Sequence, residues 1–380
     1  MRTLLVSLCA TLLTSCAMAI DGVAPMPPDV HAIDDEVRRQ MAREDVKGLA
    51  LAIIQDGAVV HLATFGHRNV EKSLPLEPDT VMYGASFTKT AFAYMTLQLV
   101  DEGKIDLDRP IADYLAKPIP SYENYEDLEG DERWRRLTPR HVLTHSTGFH
   151  NFRWLEDDRV LRFHFEPGER YAYSGEGFYL LQFLMEEALG LDVKAEMQRR
   201  IFDRFGMPNT SMQWREDFAE NLADGYRIDG SFEPHDERSN VSAAGSMDTT
   251  IRDQAALWAG MAKGEGISRK ARNEFIRPQR TISTKGQFPP LWETYDPRGP
   301  ASDLSAGLGL VTYQGAEGLA WFKGGHNEWT GNFVVCREEA RDCIVLMSNS
   351  VRAELIYPDL VQFIWPDSQI PFWWEYGHVE

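Results

Sequence analysis

The sequence is poor in cysteine and in positive charge. Four of its 380 residues are cysteine, and 58 Asp and Glu against 39 Lys and Arg give a formal net charge of −19. A charge of this sign disfavours nucleic acid as a partner, and we interpret it as a solvated acidic surface. The sequence also contains no Gly-x-Ser-x-Gly nucleophile turn and no Walker-type phosphate loop. These absences argue against the hydrolases built on that turn and against P-loop nucleotide enzymes.

Long apolar runs are missing as well, except for a short one at the N-terminus. Residues 1–19 have the pattern of a signal peptide, with Arg2 before an apolar core and Ala-Met-Ala at the cleavage position. The core is too short to span a bilayer. The Leu-Thr-Ser-Cys sequence ending at Cys16 equally fits a lipoprotein signal, which would place a lipid anchor on Cys16. Both alternatives predict an exported mature chain, periplasmic or secreted, or held at the outer membrane as a lipoprotein.

Two cysteines remain in the part of the chain expected to fold, Cys336 and Cys343. They flank a charged, turn-like segment between two strand-like runs, so they are expected to face each other across a hairpin. Facing positions approach closely enough for a disulfide, which an oxidising compartment permits. We predict a disulfide here; the alternative is two buried free thiols. No metal site is expected, and His141 and His145, four apart on a predicted helix, are interpreted as a structural pair.

Strand patterns lie at both ends of the chain and helical patterns lie between them. Residues 49–55 and 59–65 predict two strands joined by an Asp-Gly turn, and strand signals return over residues 307–347. One sheet assembled from both ends, with a mainly helical insertion, explains this order. We expect one hydrolase domain, residues 20–380, with an α/β part from 29–75 plus 305–380 and a helical part from 80–300.

A Ser-Phe-Thr-Lys motif, Ser86 to Lys89, opens an apolar segment that predicts a buried helix from Ser86 to about Glu102, ended by Gly103. Because the two residues are three positions apart, the hydroxyl and the amine lie on one face of the helix. Hydrolases in which lysine activates a serine nucleophile need this arrangement. The alternative is an ordinary capping serine followed by a surface lysine.

Two further motifs carry groups suited to the same chemistry. Tyr173, delivered by a Pro-Gly turn, can move a proton between Ser86 and a leaving group when a cation stands nearby. A Lys-Gly-Gly-His motif at Lys323 ends a strand-like run, where small residues let a substrate backbone approach. The backbone N–H groups of Ser86 and His326 are the predicted oxyanion hole. The alternatives are a core tyrosine and a glycine-rich bulge.

In chain order, these motifs resemble the serine β-lactamase and penicillin-binding-protein superfamily, and most closely its class C β-lactamase, esterase and D-aminopeptidase branch. The resemblance implies an α+β fold of the β-lactamase/transpeptidase type, an antiparallel sheet flanked by helices with an inserted helical domain. It also implies that no metal or organic cofactor is needed. Further similar segments extend the resemblance over nearly the whole mature chain: Val100–Pro110, Leu137–Phe149, Ser242–Asp253 and Ser348-Asn349.

The resemblance also implies a role for each motif residue. Ser86 is expected to be the acylated nucleophile, Lys89 its activating partner and Tyr173 the general base and acid. Gly175 stands where class C β-lactamases usually carry an asparagine that contacts the substrate amide, which favours the esterase-like relatives. His326, in place of a small hydroxyl residue, favours them too. The substrate is expected to contact Lys323, Gly324, Gly325 and Gly175.

We therefore predict an exported serine hydrolase that forms an acyl-enzyme on Ser86 and acts on small-molecule esters, amides or peptides. One alternative is a β-lactamase or D,D-carboxypeptidase acting on cell-wall peptides. Another is a catalytically silent penicillin-binding or scaffold protein, which the intact Ser86, Lys89 and Tyr173 argue against. Membrane attachment is expected only through a lipid on Cys16.

Overall fold

The computed structural model describes residues 29–292 and 294–377. The predicted signal peptide and the lipidation candidate Cys16 lie outside these ranges. Within them, no helix combines the length and the apolar character needed to cross a membrane.

Strands occur near both ends of the described chain and only as short pieces between them. Their bounds are β1 (Gly48–Gln55), β2 (Ala58–Asn69), β3 (Leu74–Pro75), β4 (Met82–Tyr83), β5 (Gly225–Tyr226), β6 (Phe232–Glu233), β7 (Asp248–Thr249), β8 (Arg280–Thr281), β9 (Ser305–Ala306), β10 (Val311–Gly315), β11 (Gly318–His326), β12 (Gly331–Arg337) and β13 (Asp342–Ser348).

Helices fill the middle of the chain and also begin and end the described part. Their bounds are α1 (Val30–Glu44), α2 (Phe87–Asp101), α3 (Pro139–Leu143), α4 (Gly175–Phe183), α5 (Val193–Met197), α6 (Asp203–Phe205), α7 (Ile251–Lys263), α8 (Arg269–Ile276), α9 (Arg298–Ala301), α10 (Tyr357–Ile364) and α11 (Phe372–Glu375). Single 3₁₀ and π-helical turns connect several of them, including Leu184–Ala188, which continues α4, and Gln198–Phe202, which joins α5 to α6.

Within the described ranges, nine strands form one antiparallel sheet in the order β3-β2-β1-β13-β12-β11-β10-β9-β8. The first and last long strands pair at its centre, with Leu49 opposite Ser348. The Asp56-Gly57 turn between β1 and β2 has φ values of 46° and 71°, the left-handed pair that a tight hairpin requires. The predicted α+β fold, with an antiparallel sheet built from both ends of the chain, is confirmed. The division into an α/β part and a helical part stays a prediction.

Helices cover both faces of the sheet, which divides the core into two layers. Along β1, Ala50 and Ala52 belong to the layer that contains α2 and α7, whereas Leu49 and Leu51 belong to the layer that contains α1 and α10. Side chains of a strand alternate between its faces, so a strand covered on both sides is apolar throughout. This explains why β1, β12 and β13 are buried along almost their whole length.

The hairpin of β12 and β13 brings the two remaining cysteines together. Cys336 lies directly opposite Cys343 in the strand register, and the structure joins their sulfurs in a disulfide. Both residues are fully buried under the α2 layer of the core.

Candidate active site

The chain turns sharply just before α2, and this turn presents Ser86. Ala85 has a φ of 46°, a left-handed conformation that costs a residue with a side chain roughly 1–2 kcal/mol. The Thr88 hydroxyl donates a hydrogen bond of 2.6 Å to the Ala85 carbonyl and thereby holds the strained residue. A strained residue persists only where surrounding contacts hold it in place, and such residues are concentrated at functional sites.

Ser86 Oγ lies between two other polar side chains. It is 3.1 Å from Lys89 Nζ and 2.7 Å from the Tyr173 hydroxyl, and Lys89 Nζ also donates to the Ala244 carbonyl at 2.6 Å. A neutral lysine amine has two N–H donors and one lone pair, so it can donate to Ala244 and still accept the serine proton. The segment around Ala244 thus orients the amine toward the serine.

A second lysine lies on the far side of Tyr173. Lys323 Nζ is 3.5 Å from the Tyr173 hydroxyl and donates to the Gly324 carbonyl at 2.6 Å. Lys89 Nζ and Lys323 Nζ lie 4.8 Å and 5.1 Å from the centre of the Tyr173 ring. A positive charge at this distance is attracted to the face of the ring, and it stabilises a phenolate more strongly than a phenol.

Burial shifts the proton affinity of each of these groups. It lowers the pKa of Lys89 well below that of a free lysine, and the charge of Lys323 lowers it further. Burial raises the pKa of the Tyr173 hydroxyl, which the hydrogen bond to Ser86 only partly offsets. Both shifts favour the uncharged forms of the two groups, the amine of Lys89 and the phenol of Tyr173.

The C-terminal segment contributes a carboxylate that the sequence analysis missed. Glu375, at the end of α11, is buried against Gly324, where an added Cβ would lie 1.8 Å from its Oε1. Gln287 Nε2 donates to Glu375 Oε2 at 2.7 Å. Burial raises the pKa of Glu375 and lowers the pKa of Lys323, and the opposite charge of each group opposes the shift of the other. The aromatic residues around Glu375 in the sequence indicate packing only. The sequence therefore offered no signal that Glu375 places a carboxylate near Lys323.

The end of β11 lies directly beside the start of α2. An added Cβ at Gly325 would be 3.1 Å from the Gly84 carbonyl oxygen and 3.3 Å from the Phe87 nitrogen, so glycine permits the close approach. Next in the chain, His326 Nδ1 is 3.2 Å from Glu354 Oε1. Burial disfavours a charge on His326, but the Glu354 and Glu375 carboxylates together outweigh burial and raise the pKa of His326. The proposed oxyanion-hole residues, Ser86 and His326, border the same small recess.

His145 supports Tyr173 and does not form a pair with His141. Helix α3 ends at Leu143, and His145 has a φ of 50°, so its ring leaves the helix. The ring stacks on Tyr173 with centroids 4.3 Å apart, and Nδ1 accepts a hydrogen bond from the Ser174 amide. Burial is the largest cause that lowers the pKa of His145 well below that of a free imidazole, so the ring is neutral. Within residues 29–292 and 294–377, no three His, Cys, Asp or Glu side chains are grouped to hold a metal.

A cavity of about 1120 Å³ opens on the Ser86, Lys89 and Tyr173 side chains. Lys323 lies behind Tyr173, while Gly324 and Gly325 border the small recess next to Ser86. At Gly175 an added Cβ would lie 2.2 Å from Phe152 Cε1, so the Phe152 ring takes the space of a side chain there and itself forms the cavity wall.

Comparison with known proteins shows the family of the chain. A model of the beta-lactamase family matches residues 33–359. The chain belongs to the beta-lactamase family. It is therefore a member of the superfamily of β-lactamase and penicillin-binding-protein-like serine hydrolases, as the sequence motifs predict. The predicted roles of individual residues stay predictions.

Two solved structures share this family's fold with the chain. The octameric penicillin-binding protein homologue from Pyrococcus abyssi is 20% identical, with a TM-score of 0.70 over 90% of this chain and 80% of that one. The D-alanine carboxypeptidase AmpC from Burkholderia cenocepacia is 18% identical, with a TM-score of 0.69 over 88% of this chain and 99% of that one. At these identities the likeness shows the fold alone.

Curated relatives in sequence cover less of the chain. An uncharacterized protein of Alkalihalophilus pseudofirmus is 25% identical over 232 residues, 61% of this chain and 63% of that protein. A beta-lactamase of Pseudomonas fluorescens is 22% identical over 206 residues, 52% of this chain and 54% of that protein. The matches thus span less than two thirds of either relative.

Proposed function

We propose that this member of the beta-lactamase family is an exported hydrolase that forms an acyl-enzyme on Ser86 and prefers esters to amides. One observation carries the proposal. Ser86 Oγ lies 3.1 Å from the amine of Lys89 and 2.7 Å from the hydroxyl of Tyr173, at the wall of a cavity large enough for a small molecule. A nucleophile within hydrogen-bond distance of both a base and an acid has what acyl transfer requires.

In acylation, Ser86 Oγ attacks the substrate carbonyl carbon and its proton passes to the neutral amine of Lys89. The carbonyl oxygen becomes an oxyanion, and the backbone N–H groups of Ser86 and His326 are the proposed donors to it. Tyr173 then protonates the leaving oxygen or nitrogen as its bond to carbon breaks, and Lys89 returns the proton to Tyr173. The positive charges of Lys89 and Lys323 stabilise the transient phenolate.

In deacylation, water takes the place of the alcohol. A recess of about 20 Å³ next to Ser86 and Tyr173 has room for one water molecule. The water oxygen attacks the acyl carbon, and a proton of the water passes to Lys89, the base of the acylation step. Ser86 Oγ then leaves and takes a proton back from Lys89. The products are a carboxylic acid and the free serine, so atoms and charge balance without a cofactor.

The second candidate function is a β-lactamase or D,D-carboxypeptidase. The similarity to a beta-lactamase of Pseudomonas fluorescens and to a D-alanine carboxypeptidase from Burkholderia cenocepacia favours it. Gly175 weighs against it, because the Phe152 ring fills the space that an amide-binding side chain at position 175 would need. A catalytically silent scaffold is the third candidate, and the short contacts of Ser86 weigh against it.

Export is part of the proposal and rests on the N-terminal pattern and on the disulfide. A disulfide between Cys336 and Cys343 suits an oxidising compartment outside the cytoplasm. The mass of the mature N-terminus distinguishes the two routes, because ordinary cleavage leaves Ile20 first and lipoprotein processing leaves a lipid-modified Cys16. An unprocessed Met1 in the cell would contradict export.

The acyl-enzyme is tested by intact-mass analysis after incubation with p-nitrophenyl acetate and, separately, with a penicillin. We expect an acetyl adduct on wild type, absent from Ser86→Ala, together with turnover of the ester. A long-lived penicillin adduct without ester turnover would favour a penicillin-binding role. No adduct with either probe would overturn the proposal and favour the scaffold.

A further inference from the structure

The wall of the cavity next to Ser86 is an aromatic ring that is fixed from two sides. Phe152 packs on Gly175, and it stacks face to face on Trp154 with centroids 4.1 Å apart. The Gly175 amide donates to both the backbone and the side-chain oxygen of Asn151, at 2.8 Å and 3.0 Å. These bonds tie the segment that carries Phe152 to the start of α4 and hold the ring against Gly175.

The rest of the cavity wall continues this apolar surface. Leu155 follows on the same loop, and Ile228, Val351 and Leu355 line the cavity as well. Leu155 and Ile228 each have 52% of their surface exposed, and both line the cavity that contains Ser86. Apolar patches left in water at the rim of a cavity mark surfaces that a ligand covers.

Two arginines at the mouth of the cavity are engaged with the protein itself. The Arg227 guanidinium forms ion pairs with Glu233 and Glu328. The Arg352 guanidinium donates to the carbonyl oxygens of Glu44 and Ile228, which holds the Ile228 loop at the mouth. The two guanidinium groups therefore already have protein partners, and the apolar residues of the wall are the surface that remains open to a substrate beside them.

We propose that the substrate carries an apolar chain next to the scissile bond, and that this chain packs on Phe152, Leu155 and Ile228. Phe152 is then a specificity-determining residue, since its ring provides apolar contact where a side chain at Gly175 would stand. The proposal rests on the proposed function, because it needs acylation of Ser86. It assigns the site to esters of medium-length aliphatic acids or alcohols.

The test compares two series of esters. One is p-nitrophenyl acetate, butyrate and octanoate, which lengthens the acyl side; the other is methyl, butyl and octyl acetate, which lengthens the alcohol side. We expect kcat/KM to rise about threefold to fourfold per buried methylene group in one of the two series. The series that shows the rise identifies whether the wall contacts the acyl or the alcohol part of the substrate. A flat or falling kcat/KM in both series would overturn the inference, while a Ser86 acetyl adduct would still uphold the proposed function.

Variants at the exposed positions test the wall itself. Leu155→Asp and Ile228→Asp change half-exposed side chains, so the fold should tolerate them. Each is expected to lower the ratio of kcat/KM for the longest to the shortest ester by about tenfold. Val60→Asp is the matched control, because Val60 is 50% exposed and lies on β2, outside the cavity lining. Equal ratios in all three variants and wild type would contradict a role of this wall.

Discussion

The two sides of Ser86 differ in burial, in polarity and in the chain segments that form them. On the inner side, Lys89, Tyr173 and Lys323 are almost completely buried and linked by short polar contacts. On the outer side, Phe152, Leu155 and Ile228 come from loops and are partly exposed. The inner side sets proton affinities, which tolerate little change, whereas the outer side offers only shape and apolar area. We infer that reaction type depends on the inner side and substrate choice on the outer side.

Loss of the inner amine is expected to have the largest effect. Lys89→Met keeps the length of the buried side chain but removes the proton acceptor, and the rate of Ser86 acylation should fall about 10³-fold. Stopped-flow measurement of the p-nitrophenol burst reports this rate. Lys72→Met, which changes an exposed lysine, should leave the burst unchanged. An equally fast burst in Lys89→Met would show that another group accepts the proton.

The next largest effect concerns Tyr173. Tyr173→Phe removes the proposed proton donor to the leaving group, so kcat/KM for an alkyl ester should fall about 100-fold. The loss should be smaller for a p-nitrophenyl ester, because p-nitrophenolate leaves without help from an acid. Tyr171→Phe is the matched control, since Tyr171 is also buried and its hydroxyl has no hydrogen-bond partner within the described part of the chain. Equal losses for both ester types would argue for a merely structural Tyr173.

A packing effect should follow on the outer side. Gly175→Ala places a methyl group 2.2 Å from the Phe152 ring and should lower the free energy of unfolding by about 1–3 kcal/mol. In a Phe152→Ala background the same substitution should cost nearly nothing, because the space is then empty. Urea unfolding of the two single variants and the double variant gives the coupling between the positions. Additive losses would mean that the ring moves aside freely.

The smallest effect is a shift of the pH profile. The Glu375 carboxylate raises the pKa of Lys323 against the lowering effect of burial. Glu375→Gln removes that charge, so Lys323 should lose its proton at lower pH, and the alkaline limb of kcat/KM should move down by about one pH unit. A uniform loss at every pH would assign Glu375 a structural role only.

Much of the inner side could be predicted because its information is local. The motif spacing predicted Ser86 and Lys89 on one helix face, and the helix expected from Ser86 to about Glu102 runs from Phe87 to Asp101. The turn at Asp56-Gly57 and the facing cysteines likewise follow from short stretches of sequence. The resemblance then implied that Tyr173 and Lys323 belong to the same site, and the structure brings both to Ser86.

The family, the antiparallel sheet built from the two ends of the chain and the helix that begins after Ser86 were all predictable from sequence patterns. Three contacts became visible only in the folded chain: Glu375 lies near Lys323, His145 stacks on Tyr173, and Phe152 occupies the space at Gly175. The physical reason is the range of the interactions. Periodicity and turn chemistry act between near neighbours in the chain, whereas these contacts depend on which faces of distant segments meet once both layers of the core have packed.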